Sequence, residues 1–405
     1  MAYLWKVFGS WGKKPKTLNP YSLQLYYGVN QFTWASGGST YFLMNVPDNF
    51  PDPKLTGSLV NTWEGGIDLR FLKNRLGVNI TYYSEKNIKE PLTINQSAVG
   101  GFPNRTINAA EIDRQGIEVE LNAKPVAGKN FEWNLTSTFA IITDNTVVKL
   151  AEGVPSYTLS GGAFGTSFAR AFHFEGKDWG ILKGGGILRN KEGLPMITEN
   201  GFSGGLGWFA TDPDKEYGSI VPKITGGLQN FLNYKNFTLG MTLDYQVGGK
   251  FFSLSEQWGT FSGLLEGTAA INDKGKNVRD DVLDGGGVHV VGVDAADGKT
   301  PVDVYISAYD YFHQFYYQQI AEPFVHDLTF VKLREISLGY KIPVKKLGNL
   351  GKAFQGANIS IIARNPWLIY RESDNFDPSE ISFNHGEDGQ MPGTRSIGFN
   401  LKLNF

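Results

Sequence analysis

The segment from Ile397 to Phe405 constrains the fold more than any other stretch. Ile397, Phe399, Leu401, Leu403 and Phe405 alternate with Gly398, Asn400, Lys402 and Asn404, and the last residue of the sequence is an aromatic. A period of two puts one set on each face of a strand, so one face is apolar and the other polar. Such a strand suits the closing strand of an outer-membrane β-barrel, with its apolar face toward lipid and its polar face toward a wet lumen. A half-buried terminal strand of a soluble sandwich would show the same alternation. The rest of the chain has to decide.

The pattern recurs in nine further segments. Leu23, Leu25, Tyr27 and Val29 alternate with polar or small residues, and Trp63, Ile67, Leu69 and Phe71 do the same against Glu64, Asp68 and Arg70. Leu76, Val78, Ile80 and Tyr82 follow a tight turn at Lys73-Asn74-Arg75. Ile117 to Ala123 and Phe131 to Ile141 continue the series. The spans 220–232 and 237–248 form a hairpin, in which Phe237, Leu239, Met241, Leu243, Tyr245 and Val247 make the cleanest alternation. A segment over 323–340 changes phase near Lys332–Glu335, where a bulge is expected. Ile359, Ile361 and Ala363 mark the ninth segment.

Each segment runs about 12 residues, enough for a tilted strand to cross a bilayer; sandwich strands usually have about five or six. Connections alternate between short (73–75, 124–130, 233–236, 342–356) and long (34–59, 89–110, 144–216, 249–322, 371–392). Short periplasmic turns opposite long extracellular loops are the pattern of a membrane barrel. The expected fold is all-β, a transmembrane antiparallel β-barrel. The two longest loops should hold additional short strands, in pairs, because structureless stretches of that length are rare.

Composition agrees. The 405 residues include 50 Gly and 14% aromatics, which suits many turns and strands. Cysteine is absent, which removes thiol catalysis, disulfides and zinc–thiolate sites. A net charge of −2 gives no general basic surface for nucleic acid. No apolar run approaches a spanning helix, so any crossing uses strands. The first residues, Met1-Ala-Tyr-Leu-Trp-Lys, lack the basic and apolar regions of a signal peptide. A chain of this class needs one, so the expectation is a C-terminal portion of something longer.

Several phrases resemble the SusC/RagA family of TonB-dependent outer-membrane transporters. They are Tyr26-Tyr-Gly-Val-Asn30, Asn61-Thr-Trp-Glu-Gly-Gly-Ile-Asp-Leu-Arg-Phe-Leu-Lys-Asn-Arg-Leu76 with Asn79-Ile-Thr-Tyr-Tyr83, Gln115-Gly-Ile-Glu-Val-Glu120 and Gly248-Gly-Lys-Phe251. The most telling is Phe330-Val-Lys-Leu-Arg-Glu-Ile-Ser-Leu-Gly-Tyr-Lys-Ile-Pro343, followed by Ala363-Arg-Asn365. The resemblance implies a 22-stranded barrel filled by an N-terminal plug and capped by a SusD-like surface lipoprotein. It implies import of oligosaccharides or peptides, driven by TonB, across the outer membrane of a Gram-negative bacterium of the Bacteroidota. On this reading residues 1–405 supply about 10–12 of the C-terminal strands, with plug and TonB contact outside the chain. The rival readings are a plug-free porin or adhesin barrel, and a secreted β-rich glycan-binding protein.

No catalytic set emerges, and the chain is not expected to be an enzyme or to carry a cofactor. His173, His289, His313, His326 and His385 have no metal-ligand spacing. Glu118 and Glu120 share a face with Arg114 and so mimic an acid/base pair, though polar lumen lining explains them better. The glycine runs 184–186 and 285–287 lack the Lys-Ser/Thr sequel of a phosphate loop. Acidic clusters at 212–216 and 280–284 could hold a calcium ion, but neither has the spacing of a dedicated loop. Trp63, Trp133 and Tyr82 suit the aromatic girdles of a barrel. The long loops carry Trp34, Trp179, Trp208, Trp258, Tyr309, Tyr311, Tyr316 and Tyr317. All but Trp34 are the candidates for ligand or lid contact, with mutual packing of the loops as the alternative. The run 309–317 is the densest of these clusters.

Overall fold

The computed structural model describes residues 2–33, 40–160, 168–346, 348, 354–381, 386–387, 389 and 391–404. Ten strands form one continuous antiparallel wall. In chain order they are β1 (Ala2–Pro15), β2 (Leu59–Phe71), β3 (Leu76–Asn95), β4 (Asn104–Ala127), β5 (Phe131–Lys149), β6 (Ile224–Tyr234), β7 (Phe237–Val247), β8 (Phe330–Ile342), β9 (Gly356–Arg371) and β10 (Ser396–Asn404). Each pairs with its sequence neighbour, and Asn49–Pro51 adds a short parallel strand beside the start of β4. Nearest-neighbour pairing throughout is the topology of an up-and-down barrel wall.

Register sorts the two faces. Trp11 lies opposite Trp63, Val7 opposite Ile67 and Trp5 opposite Leu69. Ile67 lies opposite Ile80, and Ile80 opposite Val119. One face is therefore apolar across adjacent strands, while Asp68, Asn79, Glu118 and Glu120 fall on the other. A one-residue slip would exchange the faces, so this pattern fixes the register.

Short connections lie at one rim. At 72–75 the turn holds Leu72, Lys73 and Asn74 at φ of 51°, 57° and 66°. Only Asn adopts that left-handed region readily; the other two positions store local strain. The connections 128–130 and 235–236 are similarly tight, and 343–355 is the longest on that side.

The first wall strand differs from expectation. Residues 22–27 are outside any strand, and Gly28–Thr33 pairs with Thr40–Asn45 in a separate hairpin within the first long connection. The wall strand is Ala2–Pro15 instead. Its alternation is blurred because Gly9 interrupts the apolar face and Phe8 sits on the polar one, packed over Gly66. Full-length pairing with β2 decides the outcome. The connection expected over 89–110 is also shorter, because β3 and β4 continue as a long ribbon to 96–103. The bulge expected in β8 is present: its register with β7 and β9 skips Arg334.

The long connections build a cap at the opposite rim. The connection 150–223 contains six short strands and 248–329 contains four, among the described residues. One four-stranded sheet joins Ser156–Ser160, Ala169–Phe174, Ile181–Ile187 and Thr211–Ser219. A second mixes both connections, pairing Met196–Glu199 in parallel with Val288–Asp294. Two helices, α1 (Leu254–Phe261) and α2 (Ala308–Tyr317), pack on these sheets. Phe168, Leu182, Ile197, Trp208, Phe252, Phe315 and Ile320 are among the residues of their shared core.

Candidate functional site

The cap positions most of the aromatic candidates, and α2 is its organiser. Ser307 caps the helix by accepting from the Asp310 N–H, and Asp310 supplies the acidic first turn. Asp310 in turn accepts from Ser203 Oγ at 2.9 Å. Gln314 is wholly buried; its Oε1 accepts from the Phe209 N–H at 2.7 Å and its Nε2 donates to the Tyr311 carbonyl. This side chain ties α2 to the strand Leu206–Phe209 of the other connection.

Glu322 makes a second tie. Its carboxylate accepts from the Ile187 N–H (2.6 Å) and pairs with Arg189 (2.8 Å) and Lys215 (2.9 Å). Burial pushes this carboxyl up, but the hydrogen bonds from Arg189, Lys215 and Ile187 together outweigh it and hold the group below its usual range.

The aromatic candidates divide into two groups. Trp208 is 7% exposed, edge-on to Phe202 at 5.0 Å. Tyr311 lies between Phe209 and Phe315, and burial pushes its phenol up. Tyr316 packs against Phe168, Trp258 and Phe261 at 5.6, 5.4 and 4.9 Å. Trp179 packs on the cap core and meets the His173 ring at 5.2 Å. These five, Trp258 included, hold the cap together. Tyr309 and Tyr317 remain 57% and 54% exposed, both within 5.3 Å of the Phe202 ring. Trp34 and His385 lie outside the described residues.

Sequence reasoning missed two members of this exposed aromatic face, Phe202 and Phe261, while His313 lies inside the run 309–317 singled out above. Phe202, Phe261 and His313 complete it, with His313 stacked on Tyr309 at 4.0 Å and tilted on Phe261 at 4.4 Å. Phe202 offered a signal, since a large apolar residue beside Gly201 in a turn has no wall to face. Behind the face, a cleft of about 640 Å³ opens between the end of α1 and the start of α2, lined by Phe261, Asp281, Tyr309, Phe312 and His313.

A second cleft, about 520 Å³, lies where the cap meets the polar face of the wall. Trp179 and Phe251 form its apolar side, and Thr225, Asp244, Gln246, Arg334 and Ser379 its polar side. The bulged Arg334 pairs with Asp244 at 2.8 Å and approaches Glu380 at 3.7 Å. Lys332, 3% exposed, reaches Asp377 (2.7 Å), Ser379 and Glu380 (2.9 Å each). Glu387 accepts from Ser253 Oγ and from the Ser255 N–H, so the connection 372–395 is fastened to both wall and cap.

Other candidates resolve into local pairings. Arg114 pairs with Glu85 rather than with Glu118, and Glu120 accepts from Asn122. Asp214 and Glu216 pair with Lys183 and Lys177. Asp281 caps the turn Val282–Asp284, and Asp280 accepts from the Asn277 N–H. Trp63 and Tyr82 are exposed on the apolar face, while Trp133 donates its indole N–H to Asn230.

The chain is 24% identical over 435 residues to TonB-dependent receptor P3 of Formosa agariphila, covering 99% of this chain and 39% of that receptor. It is 26% identical over 369 residues to TonB-dependent receptor SusC of Bacteroides thetaiotaomicron, covering 86% of this chain and 32% of that one. The resemblance to the SusC/RagA family holds. The RagAB peptide importer in its open-open state matches 100% of this chain with a TM-score of 0.70, at 15% identity and over 40% of its own chain. That likeness establishes the fold: the wall is a portion of an antiparallel β-barrel. The chain spans about two fifths of the length of receptors such as P3 and P26. No family model matches.

Proposed function

We propose that this chain is the C-terminal part of the barrel of a SusC-like TonB-dependent transporter in an outer membrane. It imports oligosaccharides or peptides together with a SusD-like lipoprotein lid, while plug and TonB contact belong to the remainder of a longer polypeptide. The sequence match to TonB-dependent receptors along 99% of the chain carries this reading. The alternation of tight turns at one rim with a folded cap at the other supports it, since short periplasmic turns opposite long extracellular loops are the pattern of a membrane barrel. Tyr309 and Tyr317 are the residues we assign to ligand or lid contact, supported by their exposure beside an aromatic cleft. Trp179 faces the inner cleft and serves any ligand passing the cap.

The test is uptake of fluorescently labelled oligosaccharides and peptides by cells carrying the whole receptor. A double Tyr309→Ala, Tyr317→Ala variant should lose roughly 30-fold in uptake, the loss of two aromatic contacts at about 1 kcal/mol each. A protonophore should abolish transport in the parent. Transport indifferent to the proton gradient would make the barrel a passive pore, and an intact denatured mass of 44.8 kDa for the native polypeptide would remove the plug from the scheme.

A further inference from the structure

At the cap end of the wall, the apolar face carries an aromatic row and, directly above it, a polar one. Trp11 lies opposite Trp63, which lies opposite Ser84; two residues farther along each strand, Lys13 lies opposite Asn61 and Asn61 opposite Lys86. Lys13 and Lys86 thus flank Asn61 on one face, two strand spacings apart, or about 9.5 Å. Trp11 and Trp63 are each more than 60% exposed, and Lys13 and Lys86 are exposed too. The neighbouring charges are accounted for: Lys86 approaches Asp113 at 3.9 Å, Lys16 pairs with Glu90 at 3.7 Å, and Lys14 falls on the opposite face of β1. The rung keeps a positive balance, with an amide donor between its two ammonium groups.

Aromatic side chains of a membrane barrel sit at the interface, with the headgroup layer just beyond them. A rung one step above Trp11 and Trp63, at the long-loop end, therefore stands at headgroup depth in the outer leaflet. Lysines at that depth are attracted to anionic lipid. A spacing of about 9.5 Å lets two extended Lys side chains converge on one phosphate while Asn61 donates between them.

We propose that Lys13, Asn61 and Lys86 form a binding site for the phosphorylated headgroup of an outer-leaflet lipid, whose acyl chains lie over Trp11, Trp63, Val7 and Ile67. The proposal rests on the outer-membrane reading above, and the two fail differently. A receptor that does not fractionate with membranes sinks the membrane reading; one that inserts but ignores lipid phosphates sinks this site alone.

The experiment is native mass spectrometry of the whole receptor in detergent, offered bisphosphorylated lipid A, dephosphorylated lipid A and inorganic phosphate in separate arms. Bound phosphorylated lipid should fall roughly 30-fold in a K13Q/K86Q variant, from the loss of two interfacial lysines. Dephosphorylated lipid should bind about as weakly to the parent as phosphorylated lipid does to that variant. A K13R/K86R variant should retain binding, and heat-modifiable migration on gels controls for folding. Equal retention of both lipids, or unchanged binding by the glutamine variant, overturns the site. Displacement of the lipid by millimolar inorganic phosphate would make it a site for the free anion and overturn the lipid assignment.

Discussion

His173 is the residue whose chemistry is most out of balance with its surroundings. It is 3% exposed between Tyr157 and Trp179, and neither ring nitrogen has a hydrogen-bond partner among the described residues. Burial, reinforced by the positive Arg114, lowers its pKa to about 4. Protonation therefore favours the unfolded cap, where the imidazole titrates near 6.5. The neutral ring costs nothing above pH 6.5; stability falls as pH drops from there and levels off below about 4. Between pH 7 and 5 the loss is about 2 kcal/mol. A His173→Phe variant should abolish that acid sensitivity, followed as tryptophan emission during thermal melting at both pH values. An unchanged difference in melting temperature would remove His173 as its cause. Nothing in the sequence marked this residue, because an isolated histidine on an alternating strand carries no sign of its burial.

At the scale of elements, the join between α2 and the strand Leu206–Phe209 decides whether the two long connections fold as one body. Gln314→Ala leaves the buried Phe209 N–H unsatisfied and opens space in the shared core, at a cost of about 2–4 kcal/mol. Limited proteolysis should then cut both 150–223 and 248–329 at the same protease concentration. Cleavage confined to one of them would mean the two connections fold independently. The wall was legible in advance wherever one face buried the apolar set without interruption, as in Phe237–Val247. It was illegible in Ala2–Pro15, where Phe8 and Gly9 break the alternation and pairing with β2 overrides it. The cap was legible as paired strands but not as a folded unit. Its contacts join positions more than a hundred residues apart, such as Gln314 and Phe209, and local periodicity is blind to them. The aromatic candidates suffered likewise: Trp208 and Tyr317 look alike in sequence, yet one is core and the other surface.

For the whole molecule, the wall presents unpaired outer edges on β1 and β10 among the described residues. An unpaired strand in hydrocarbon leaves backbone polar groups unsatisfied, at several kcal/mol for each. The chain expressed alone should therefore not insert as a monomer. It should appear as aggregates or as pairs of copies joined edge to edge by size-exclusion chromatography with light scattering in detergent. A stable, heat-modifiable monomer would show that these strands close a small barrel by themselves.

The double fastening of the last long connection has a mechanical meaning. Asp377 and Glu380 grip Lys332 inside the barrel rim, and Glu387 grips Ser253 and Ser255 at the start of α1. One segment of chain is thereby fastened at two described points, at the start of α1 and beside the bulge in β8. Cap and rim are stitched to one another by side chains as well as by the strands that join them.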